Sequence, residues 1–534
     1  MSRGAGEART GWPWLLALWA AVAGAALWVR PLLPVDETRY ATVAWEMWSR
    51  GDFLVPHLNA APYAHKPPLL FWLIHLGWAA FGVNEWWPRL VVPLVSLLDL
   101  VLLALLARRL WPARPETAPL AVWLLFGTFV WLLFYTLLQF DLLLVGCTLF
   151  GLIALLDVAQ GRGAAWGWFG LAIGLGVLAK GPVILLHLLP VALLGPFWAP
   201  PRRWPRWYMG LLGAVALGGA IALAWALPAG FAGGPEYRAE IFWGQTAGRV
   251  ADSFAHARPF WWYLGILPLM LLPWLLWPRL WRAAAWERGE EGLRFLACWA
   301  LPVFLLLSLV SGKQLKYLFP LLPAAALLAA YWLSLRPGPA ARPWLAGLML
   351  ALGGLALLVL PFAAAGRAAP WLASVPPAWG MLALVLAAAF VIRPLSAPHG
   401  LVQATAAAAA LLFLVAELSV IRAGAPAYDV SEAAARIRAW QAAELPVAHV
   451  GKYHGQFGFA GRLRVPLEVV SSKALPGWLC RHPQGRVVLY QAGWPELGPG
   501  AEYVQAYRGD PDDLALWRAD RLAAVLGVRC PGGR

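Results

Sequence analysis

The sequence predicts an α-helical, multi-pass membrane protein with a small C-terminal α/β domain. Of its 534 residues, 61% are hydrophobic and only 13% are charged, and the mean hydropathy is +0.64. Soluble domains carry about 25% charged residues, so most of this chain should lie in lipid. From residue 422 onward, alternating segments such as LPVAHVGKYH and GRVVLYQAGW lie between Gly and Pro, a pattern typical of short strands. SEAAARIRAWQAA and DDLALWRADRLAAVL in the same region read as helices.

About thirteen apolar segments, bounded by Arg, Pro and Gly, are long enough to cross a bilayer. They lie near 12–33, 86–107, 117–135, 141–158, 164–179, 181–198, 207–229, 260–279, 293–311, 315–334, 343–363, 378–393 and 399–421. The segment 69–82 is shorter and aromatic, which favours a helix lying in the membrane interface. The first segment is longer than the core of a secretory signal, so a cleaved signal peptide is the less favoured alternative.

The turns that carry arginine predict the orientation of the chain. With the N-terminus in the cytoplasm, the arginine-rich turns all fall inside and the C-terminus falls outside. The outer side then holds a first outer loop, 34–85, and a long outer loop, 230–259. We therefore predict a transmembrane domain over 1–421 and an extracytoplasmic domain over 422–534, in the plasma (inner) membrane.

The net charge of +15 would suggest a nucleic-acid partner in a soluble protein. Here the basic residues flank apolar segments, as topology signals do, and no basic-aromatic motif for nucleic acid is present. Cys147 and Cys298 fall in apolar segments, whereas Cys480 and Cys530 fall in the tail. An oxidising compartment would allow the tail pair to bond, and the sequence leaves this open because it carries no geometry.

The first outer loop holds the pair Asp36 and Glu37 just past the first span. Adjacent side chains point apart, so one carboxylate could serve as a general base or orient a reacting group while the other pairs with Arg39. The alternative is that acids simply favour the start of a helix over 38–50, and the pattern leaves both interpretations open. A second acid, Asp141, interrupts the apolar segment LLQFDLLLVG, where an ionisable residue indicates function.

Four of the six lysines lie on the predicted outer side, against the positive-inside pattern. These are Lys66, Lys180, Lys313 and Lys316. A single lysine there would be explained by an ammonium that reaches lipid phosphates, but four on one face, with acids nearby, favour an anionic ligand. Tyr317 beside Lys313 and Lys316 adds a hydrogen-bond donor suited to a phosphate.

The histidines leave one cofactor question open. His57 and His65 in the first outer loop and His256 in the long outer loop could hold a divalent metal, but no tight ligand spacing supports it, and hydrogen-bonded structural histidines are the commoner case. The sequence has no phosphate-binding P-loop, no Gly-rich dinucleotide fingerprint and no nucleophile elbow. Nucleotide-driven chemistry is therefore unsupported, and no cofactor is required by the motifs.

Six ordered motifs carry a resemblance that covers residues 35–330. They are VDETRYA, HKPPLLFWL, QFDLLL, LAKGPV, GRVADSFAHARPFWWY and SGKQLKYLFPLLPA. In this order they resemble the membrane glycosyltransferases of the GT-C class, in the branch of 4-amino-4-deoxy-L-arabinose lipid A transferases and protein mannosyltransferases (glycosyltransferase families 39 and 83). The resemblance implies inverting transfer of a sugar from a polyprenyl-phosphate carrier at the periplasmic or external face.

The resemblance also implies roles for individual residues. Asp36 corresponds to the catalytic acidic residue of the first loop and Asp141 to the second. The residues expected to bind the carrier phosphate or the sugar are Glu37, Arg39, Tyr63, Lys66, Lys180, Arg249, Lys313, Lys316 and Tyr317. Cations in a water-poor site would stabilise the leaving phosphate as its charge develops. His65 stands where relatives often carry Glu or Gly, a departure that puts a family-like metal site at His65 and His256 in doubt.

Two other classes of function share many spans and a lipid-linked substrate. One is a polysaccharide polymerase or ligase, and the other is a flippase or transporter for an anionic lipid. Transporters usually show inverted repeats and sites at the membrane midplane, whereas here the halves do not repeat and the polar groups lie at one face. The sequence does not identify the sugar, which could be an aminoarabinose-like pentose or a hexose. It also leaves open whether lipid A, a related glycolipid, another glycan or a protein accepts it.

Overall fold

The computed structural model describes nine stretches of the chain. They are 3–200, 203–248, 257–284, 290–363, 370–396, 398–490, 494, 500–508 and 513–530. The chain forms two compact units, each discontinuous in sequence. The first, here called the helical unit, comprises Met1–Ala26, Ala64–Leu355 and Gly380–Val415; the second, the tail unit, comprises Leu27–Tyr63, Ala356–Trp379 and Ala416–Arg534. The boundary after residue 421 that composition suggests stays a prediction.

The described chain is mainly helical, and the predicted fold class is confirmed. The α-helices are Arg3–Val29, Asp36–Arg50, Leu69–Phe81, Trp86–Leu110, Thr117–Phe126, Phe129–Phe134, Asp141–Ala159, Ala165–Lys180, Val183–Leu193, Gly195–Trp198, Trp204–Ala232, Gly234–Ala239, Trp262–Met270, Pro278–Ala283, Glu291–Leu309, Leu322–Leu335, Trp344–Ala363, Ala378–Val391, His399–Ala416, Arg422–Gly424, Ser431–Ala442, Leu475–Arg481 and Ala519–Val525. Shorter 3-10 and π turns lie at Glu240–Gly248, Trp274–Leu276, Leu315–Leu321, Pro370–Ser374, Glu417–Ile421 and Ala425–Ala427.

Eight helical segments of the described chain are long and apolar enough to cross a membrane. They are Gly11–Val29, Trp86–Leu110, Asp141–Ala159, Trp204–Ala232, Glu291–Leu309, Leu315–Leu335, Trp344–Phe362 and His399–Ala442. Five shorter apolar helices accompany them: Leu69–Phe81, Thr117–Phe126, Ala165–Lys180, Val183–Leu193 and Ala378–Val391. The protein is therefore a multi-pass membrane protein, and the total of thirteen spans stays a prediction.

Some of the predicted spans are interrupted rather than continuous. The helix Thr117–Phe126 ends before Gly127, and a new helix starts at Phe129. A Cβ at Gly127 would lie 2.6 Å from the Cβ of Ala406, so the glycine allows the helix His399–Ala416 to approach closely. Trp274 donates from Nε1 to the carbonyl of Leu124 at 2.7 Å. The break is thus held by packing and a hydrogen bond that hydropathy does not report. The predicted span 260–279 is also divided, into the helices Trp262–Met270 and Pro278–Ala283 with a 3-10 turn at Trp274–Leu276 between them.

The helical unit is organised around the helix Asp141–Ala159, the most buried of the candidate spans, with 83% of its apolar window buried. It packs against the helices Trp86–Leu110 and Ala165–Lys180. Where Ala165–Lys180 crosses Trp204–Ala232, a Cβ on Gly218 would lie 2.5 Å from Ile173. Small residues at such crossings let apolar helices pack closely in lipid.

The tail unit contains all seven strands of the described chain. β1 (His57–Leu58) and β2 (Ala61–Pro62) form an antiparallel pair in the first outer loop. β3 (Val447–Val450), β4 (Glu468–Val470), β5 (Arg486–Tyr490), β6 (Tyr503–Gln505) and β7 (Leu514–Arg518) form one sheet in the order β4-β3-β5-β7-β6. β3 runs parallel to β4 and β5, and β7 runs antiparallel to β5 and β6. The predicted small α/β domain is therefore present.

One prediction within the tail is wrong. The segment DDLALWRADRLAAVL was expected to be a helix, but its first apolar part forms β7 and only Ala519–Val525 is helical. Leu514, Ala515, Leu516 and Trp517 are all fully buried, because β7 is a central strand with both faces covered. A buried strand reads as a continuous apolar run, which short sequence patterns cannot distinguish from a helix.

Two bonds join distant parts of the tail unit. Arg30, just after the first span, forms a buried ion pair with Glu417 at 3.4 Å. Cys480 and Cys530 form a disulfide with a Cα–Cα distance of 5.3 Å, which answers the question that the sequence left open. Cys147 and Cys298 are free. The disulfide links the helix Leu475–Arg481 to the segment that follows the helix Ala519–Val525.

We expect the disulfide to stabilise the tail unit. Its cysteines are 50 residues apart in sequence, and closing a loop of that length in the unfolded chain corresponds to about 4 kcal/mol in the chain-entropy view. Cys530→Ser should therefore lower the thermal unfolding temperature of the purified protein, as should a reductant. Cys298→Ser is the matched control and should leave that temperature unchanged. A Cys530→Ser protein as stable as the wild type would contradict the prediction.

Candidate active site

The first acidic residue of the predicted site begins the helix Asp36–Arg50 in the tail unit. Arg39, one turn later, donates from Nη2 to Oδ1 of Asp36. Both side chains remain partly exposed, 31% for Asp36 and 22% for Arg39. Glu37 points elsewhere: it is buried, and its Oε2 accepts a hydrogen bond from the Leu33 amide at 2.9 Å. The two adjacent carboxylates thus have separate partners.

Two tyrosines surround the Arg39 guanidinium. The ring centroid of Tyr40 lies 5.6 Å from Arg39 Cζ. Tyr63 is buried, and its amide donates to the carbonyl of Pro56 at 2.7 Å. Burial alone would lower the pKa of Arg39, but Tyr63, Tyr40 and Asp36 outweigh it and leave that pKa raised. Arg39 is therefore a permanent cation beside a partly exposed carboxylate.

A loop of the tail sheet is fastened onto the same helix. Thr42 donates from Oγ1 to the carbonyl of Gly455 at 2.5 Å and accepts from the Phe459 amide at 2.9 Å. Trp45 donates from Nε1 to the carbonyl of Leu463 at 2.8 Å. A Cβ on Gly458 would lie only 2.4 Å from Thr42 Cγ2. The segment 455–463 can therefore lie this close to the helix only because residue 458 is a glycine.

This loop adds a residue that the sequence reasoning missed. Gly455 contacts Thr42, one turn after Arg39, and the preceding residue, His454, lies near enough to Asp36 and Arg39 for both charges to affect its pKa. Burial lowers the pKa of His454, as do the nearby cations Arg39, Lys452 and Arg508, while Asp36 opposes the shift. The imidazole is therefore harder to protonate than that of a solvent-exposed histidine. The sequence signal for His454 is the segment GKYHGQFGFAGRL, in which a histidine lies among glycines and aromatic residues. The start of this segment was instead predicted to belong to a strand.

The second acidic residue lies in the helical unit. Asp141 begins the helix Asp141–Ala159 and pairs with Lys180 at the end of the helix Ala165–Lys180, with 2.5 Å between Oδ1 and Nζ. The Asp141 side chain is only 2% exposed and the Lys180 side chain 11%. A negative charge at the start of a helix and a positive charge at the end of a helix are each stabilised by the helix dipole. The otherwise costly carboxylate in an apolar segment is thus explained by a cationic partner.

Two more predicted residues adjoin this ion pair. Lys180 Nζ lies 5.3 Å from the ring centroid of Tyr317. Lys66 Nζ lies 5.8 Å from the ring centroid of Phe140, the residue before Asp141. Lys66, Asp141, Lys180 and Tyr317 come from four separate motifs. The structure therefore brings them together in the helical unit.

Lys313 has a different environment from the one expected. It is buried, and its Nζ donates to the carbonyls of Val310 and, at 3.2 Å, of Arg258. Ala257 pairs with Gly312 in an antiparallel bridge, so the end of the long outer loop is held against this turn. Its ammonium is engaged with backbone carbonyls, and its part in binding a ligand stays a prediction, as it does for the half-buried Lys316.

Of the three histidines considered as metal ligands, the structure describes His57 and His65. Arg249 and His256 lie outside the described residues. His65 is exposed, and His57 is buried with its Nδ1 3.8 Å from Asp52 Oδ2. No group of three or more His, Cys, Asp or Glu side chains able to hold a metal occurs in the part of the chain that the structure describes. The pairing of His65 with His256 stays untested.

The Asp141–Lys180 pair yields a stability prediction. Removing one partner of a buried ion pair typically costs 3–5 kcal/mol, whereas replacing both with apolar residues is often nearly neutral. Lys180→Met and Asp141→Leu should each lower the thermal unfolding temperature in detergent, and the double variant should recover most of the loss. A double variant that is destabilised by the sum of the two single effects would show that the pair is not the stabilising contact.

His454 yields a pH prediction. After burial, Arg39 contributes most to lowering the pKa of His454, so Arg39→Gln should raise that pKa toward the usual 6.5 of histidine. Asp36→Asn should lower it further. Histidine-labelled protein in micelles can be titrated by NMR to measure both shifts. Arg481→Gln, elsewhere in the tail, serves as the control. An unchanged His454 titration in both site variants would remove this residue from the Asp36–Arg39 cluster.

Comparison with known proteins agrees with the motifs. Residues 65–228 match the family model described as dolichyl-phosphate-mannose-protein mannosyltransferase. The chain is 37% identical over 335 residues to the undecaprenyl phosphate-alpha-4-amino-4-deoxy-L-arabinose arabinosyl transferase of Pseudomonas paraeruginosa, an alignment covering 61% of this chain and 60% of the relative. The enzyme of the same name from Edwardsiella ictaluri is 34% identical over 356 residues, covering 63% of this chain and 62% of the relative.

Solved structures give the fold over nearly the whole chain. The crystal structure of ArnT from Cupriavidus metallidurans bound to undecaprenyl phosphate matches with a TM-score of 0.75 and 24% identity, covering 95% of this chain and 98% of that one. The apo structure of the same protein matches with a TM-score of 0.74 and 22% identity, covering 98% and 99%. The curated relatives are matched over about three fifths of their length. The predicted resemblance to the GT-C membrane glycosyltransferases is thus confirmed, and this chain has the fold of ArnT.

Proposed function

We propose that this protein is an inverting glycosyltransferase that moves a sugar from a polyprenyl-phosphate carrier to an envelope lipid. The observation that carries the proposal is the grouping of Lys66, Asp141, Lys180 and Tyr317 around one buried ion pair. The names of the similar enzymes support an aminoarabinose-type pentose and an undecaprenyl-phosphate donor. Lipid A or a related phosphorylated glycolipid is the acceptor that the resemblance implies.

The helical unit offers what a departing carrier phosphate requires. The phosphate gains negative charge as the bond to the sugar breaks, and cations fixed in a water-poor site stabilise that charge. Lys180 and Lys66 provide point charges, and the Tyr317 hydroxyl can donate a hydrogen bond. Asp141 holds Lys180 in place, and binding of a phosphate would compete for the same ammonium. Arg249, which lies outside the described residues, is proposed as a further phosphate ligand from the motif alone.

Asp36 is proposed as the residue that acts on the acceptor. If the acceptor group is a hydroxyl, the Asp36 carboxylate takes its proton as a general base. If the acceptor group is an ionised phosphate, no proton need be removed, and Asp36 orients the sugar or the phosphate instead. Arg39 orients the carboxylate in either case. The pair is partly exposed, so a substrate can reach it.

The proposed location is the plasma (inner) membrane, with the active site and the tail unit on the periplasmic or external side. The arginine distribution supports this orientation, and a disulfide in the tail suits an oxidising compartment. A polymerase or ligase would use the same donor chemistry, so product analysis separates it from a transferase. A flippase would move the carrier without breaking the bond between sugar and phosphate.

Substitution of the site residues tests the proposed chemistry. Asp36→Asn should reduce transfer by about a hundredfold to ten-thousandfold if the carboxylate is the general base. Lys66→Ala should raise the KM for the carrier-linked sugar, because a phosphate ligand is lost. Transfer can be followed by mass spectrometry of lipid A after incubation of the purified protein with undecaprenyl-phosphate aminoarabinose. A chelator arm tests the divalent-metal alternative.

The control is Arg162→Gln, an exposed arginine on the opposite predicted side that pairs with Asp157. It should transfer sugar at the wild-type rate. Unchanged turnover in both Asp36→Asn and Lys66→Ala would exclude the proposed site. Carrier movement without sugar release would instead support the transporter alternative.

A further inference from the structure

A basic cleft lies in the helical unit, outside the residues discussed so far. Its volume is about 460 Å³, which falls within the range of about 300–1,000 Å³ typical of ligand sites. Four arginines and two tryptophans line it: Arg279, Arg282, Arg336, Arg342, Trp277 and Trp344. None of the lining residues in the described chain is acidic. The cleft therefore has a strongly positive charge.

The cleft lies at the far end of a span from the candidate active site. The span Leu315–Leu335 has Tyr317 near its start, and Arg336 directly follows its end. Twenty-one helical residues rise roughly 30 Å, the thickness of the hydrocarbon core. The cleft and the Tyr317 cluster therefore face opposite sides of the membrane, and one phosphate group cannot contact both.

Two hydrogen bonds hold the walls of the cleft together. Arg279 donates from Nη2 to the carbonyl of Pro339 at 2.6 Å, and Arg336 donates from Nη1 to the carbonyl of Arg282 at 3.2 Å. Gly338 has a φ of +66°, and a Cβ there would lie 2.4 Å from Arg279 Nη2. The two segments thus meet closely, and each of these guanidinium groups has further donors left for a ligand.

The topology rule alone does not explain this arrangement. Positive-inside signals require arginines near the ends of spans, but they do not require four of them to converge on one cleft. Guanidinium groups that share a cleft without an acid repel one another, and the repulsion would be relieved by an anion. Arg282 and Arg342 are exposed, and neither forms an ion pair with an acid in the described residues.

We propose that this cleft binds the phosphate group of an anionic membrane lipid. Arginine suits phosphate because its planar fork donates two parallel hydrogen bonds. Basic pockets between membrane helices on the cytoplasmic side are suited to lipid headgroups. Trp277 and Trp344 favour a lipid over a soluble phosphate, because indole rings prefer the membrane interface, where acyl chains meet water. The proposal does not depend on the transferase function.

The test is the affinity of the full-length protein in detergent for dioleoyl phosphatidylglycerol, measured by native mass spectrometry. The double variant Arg282→Gln/Arg342→Gln removes two charges and leaves the bonds of Arg279 and Arg336 intact. Its affinity for this lipid should fall by roughly thirtyfold, because two basic side chains are lost. Arg162→Gln, an exposed arginine outside the cleft, should bind it as the wild type does. Zwitterionic dioleoyl phosphatidylcholine should bind weakly to all three proteins.

Three outcomes would overturn the proposal. The first is equal binding of phosphatidylglycerol to the wild type and the double variant. The second is equal binding of the anionic and zwitterionic lipids by the wild type. The third is full displacement of phosphatidylglycerol by inorganic phosphate, which would assign the cleft to a soluble anion. Size-exclusion profiles and thermal unfolding of the double variant confirm that any lost binding is not lost folding.

Discussion

The ion pair between Asp141 and Lys180 is the contact on which the helical unit depends. It joins the start of one helix to the end of the next in a region where both side chains are almost completely buried. In such surroundings an unpaired charge would strongly destabilise the fold, so the ion pair keeps the two helix ends in contact. Their position in turn fixes Phe140 and, through the lysine, the ring of Tyr317. One electrostatic requirement therefore arranges several residues that lie far apart in sequence.

Composition and hydropathy were sufficient to predict most of the fold, because lipid leaves few alternatives to helices. Composition and hydropathy did not predict the features that depend on tertiary contacts. The break at Gly127 depends on a close approach by Ala406, which no local pattern encodes. The strand Leu514–Arg518 was mistaken for a helix because burial on both faces removes the alternation that identifies strands. The pairing of the tail cysteines also required coordinates, since the sequence carries no distance.

Part of the candidate active site could also be predicted from the sequence. Asp141 and Lys180 stand out because charges in apolar segments need partners, and the structure supplies each with the other. Lys313 shows the limit of that reasoning, because backbone carbonyls accept hydrogen bonds from its ammonium, and its role in binding a ligand stays a prediction. His454 was missed because its neighbourhood depends on the contact between Thr42 and Gly455, which are 413 residues apart. The four arginines that line the basic cleft were interpreted from the sequence only as topology signals.

The attachment of Thr42 and Trp45 to the segment 455–463 has a consequence for the order of events during synthesis. The ribosome delivers the helix Asp36–Arg50 early, but the carbonyls and amides that complete its surroundings emerge several hundred residues later. Until then, water must provide the hydrogen-bond partners of the Thr42 hydroxyl and the Trp45 indole N–H. The first outer loop can therefore reach its final structure only after segment 455–463 has been synthesised, which delays completion of the tail unit until translation is almost over.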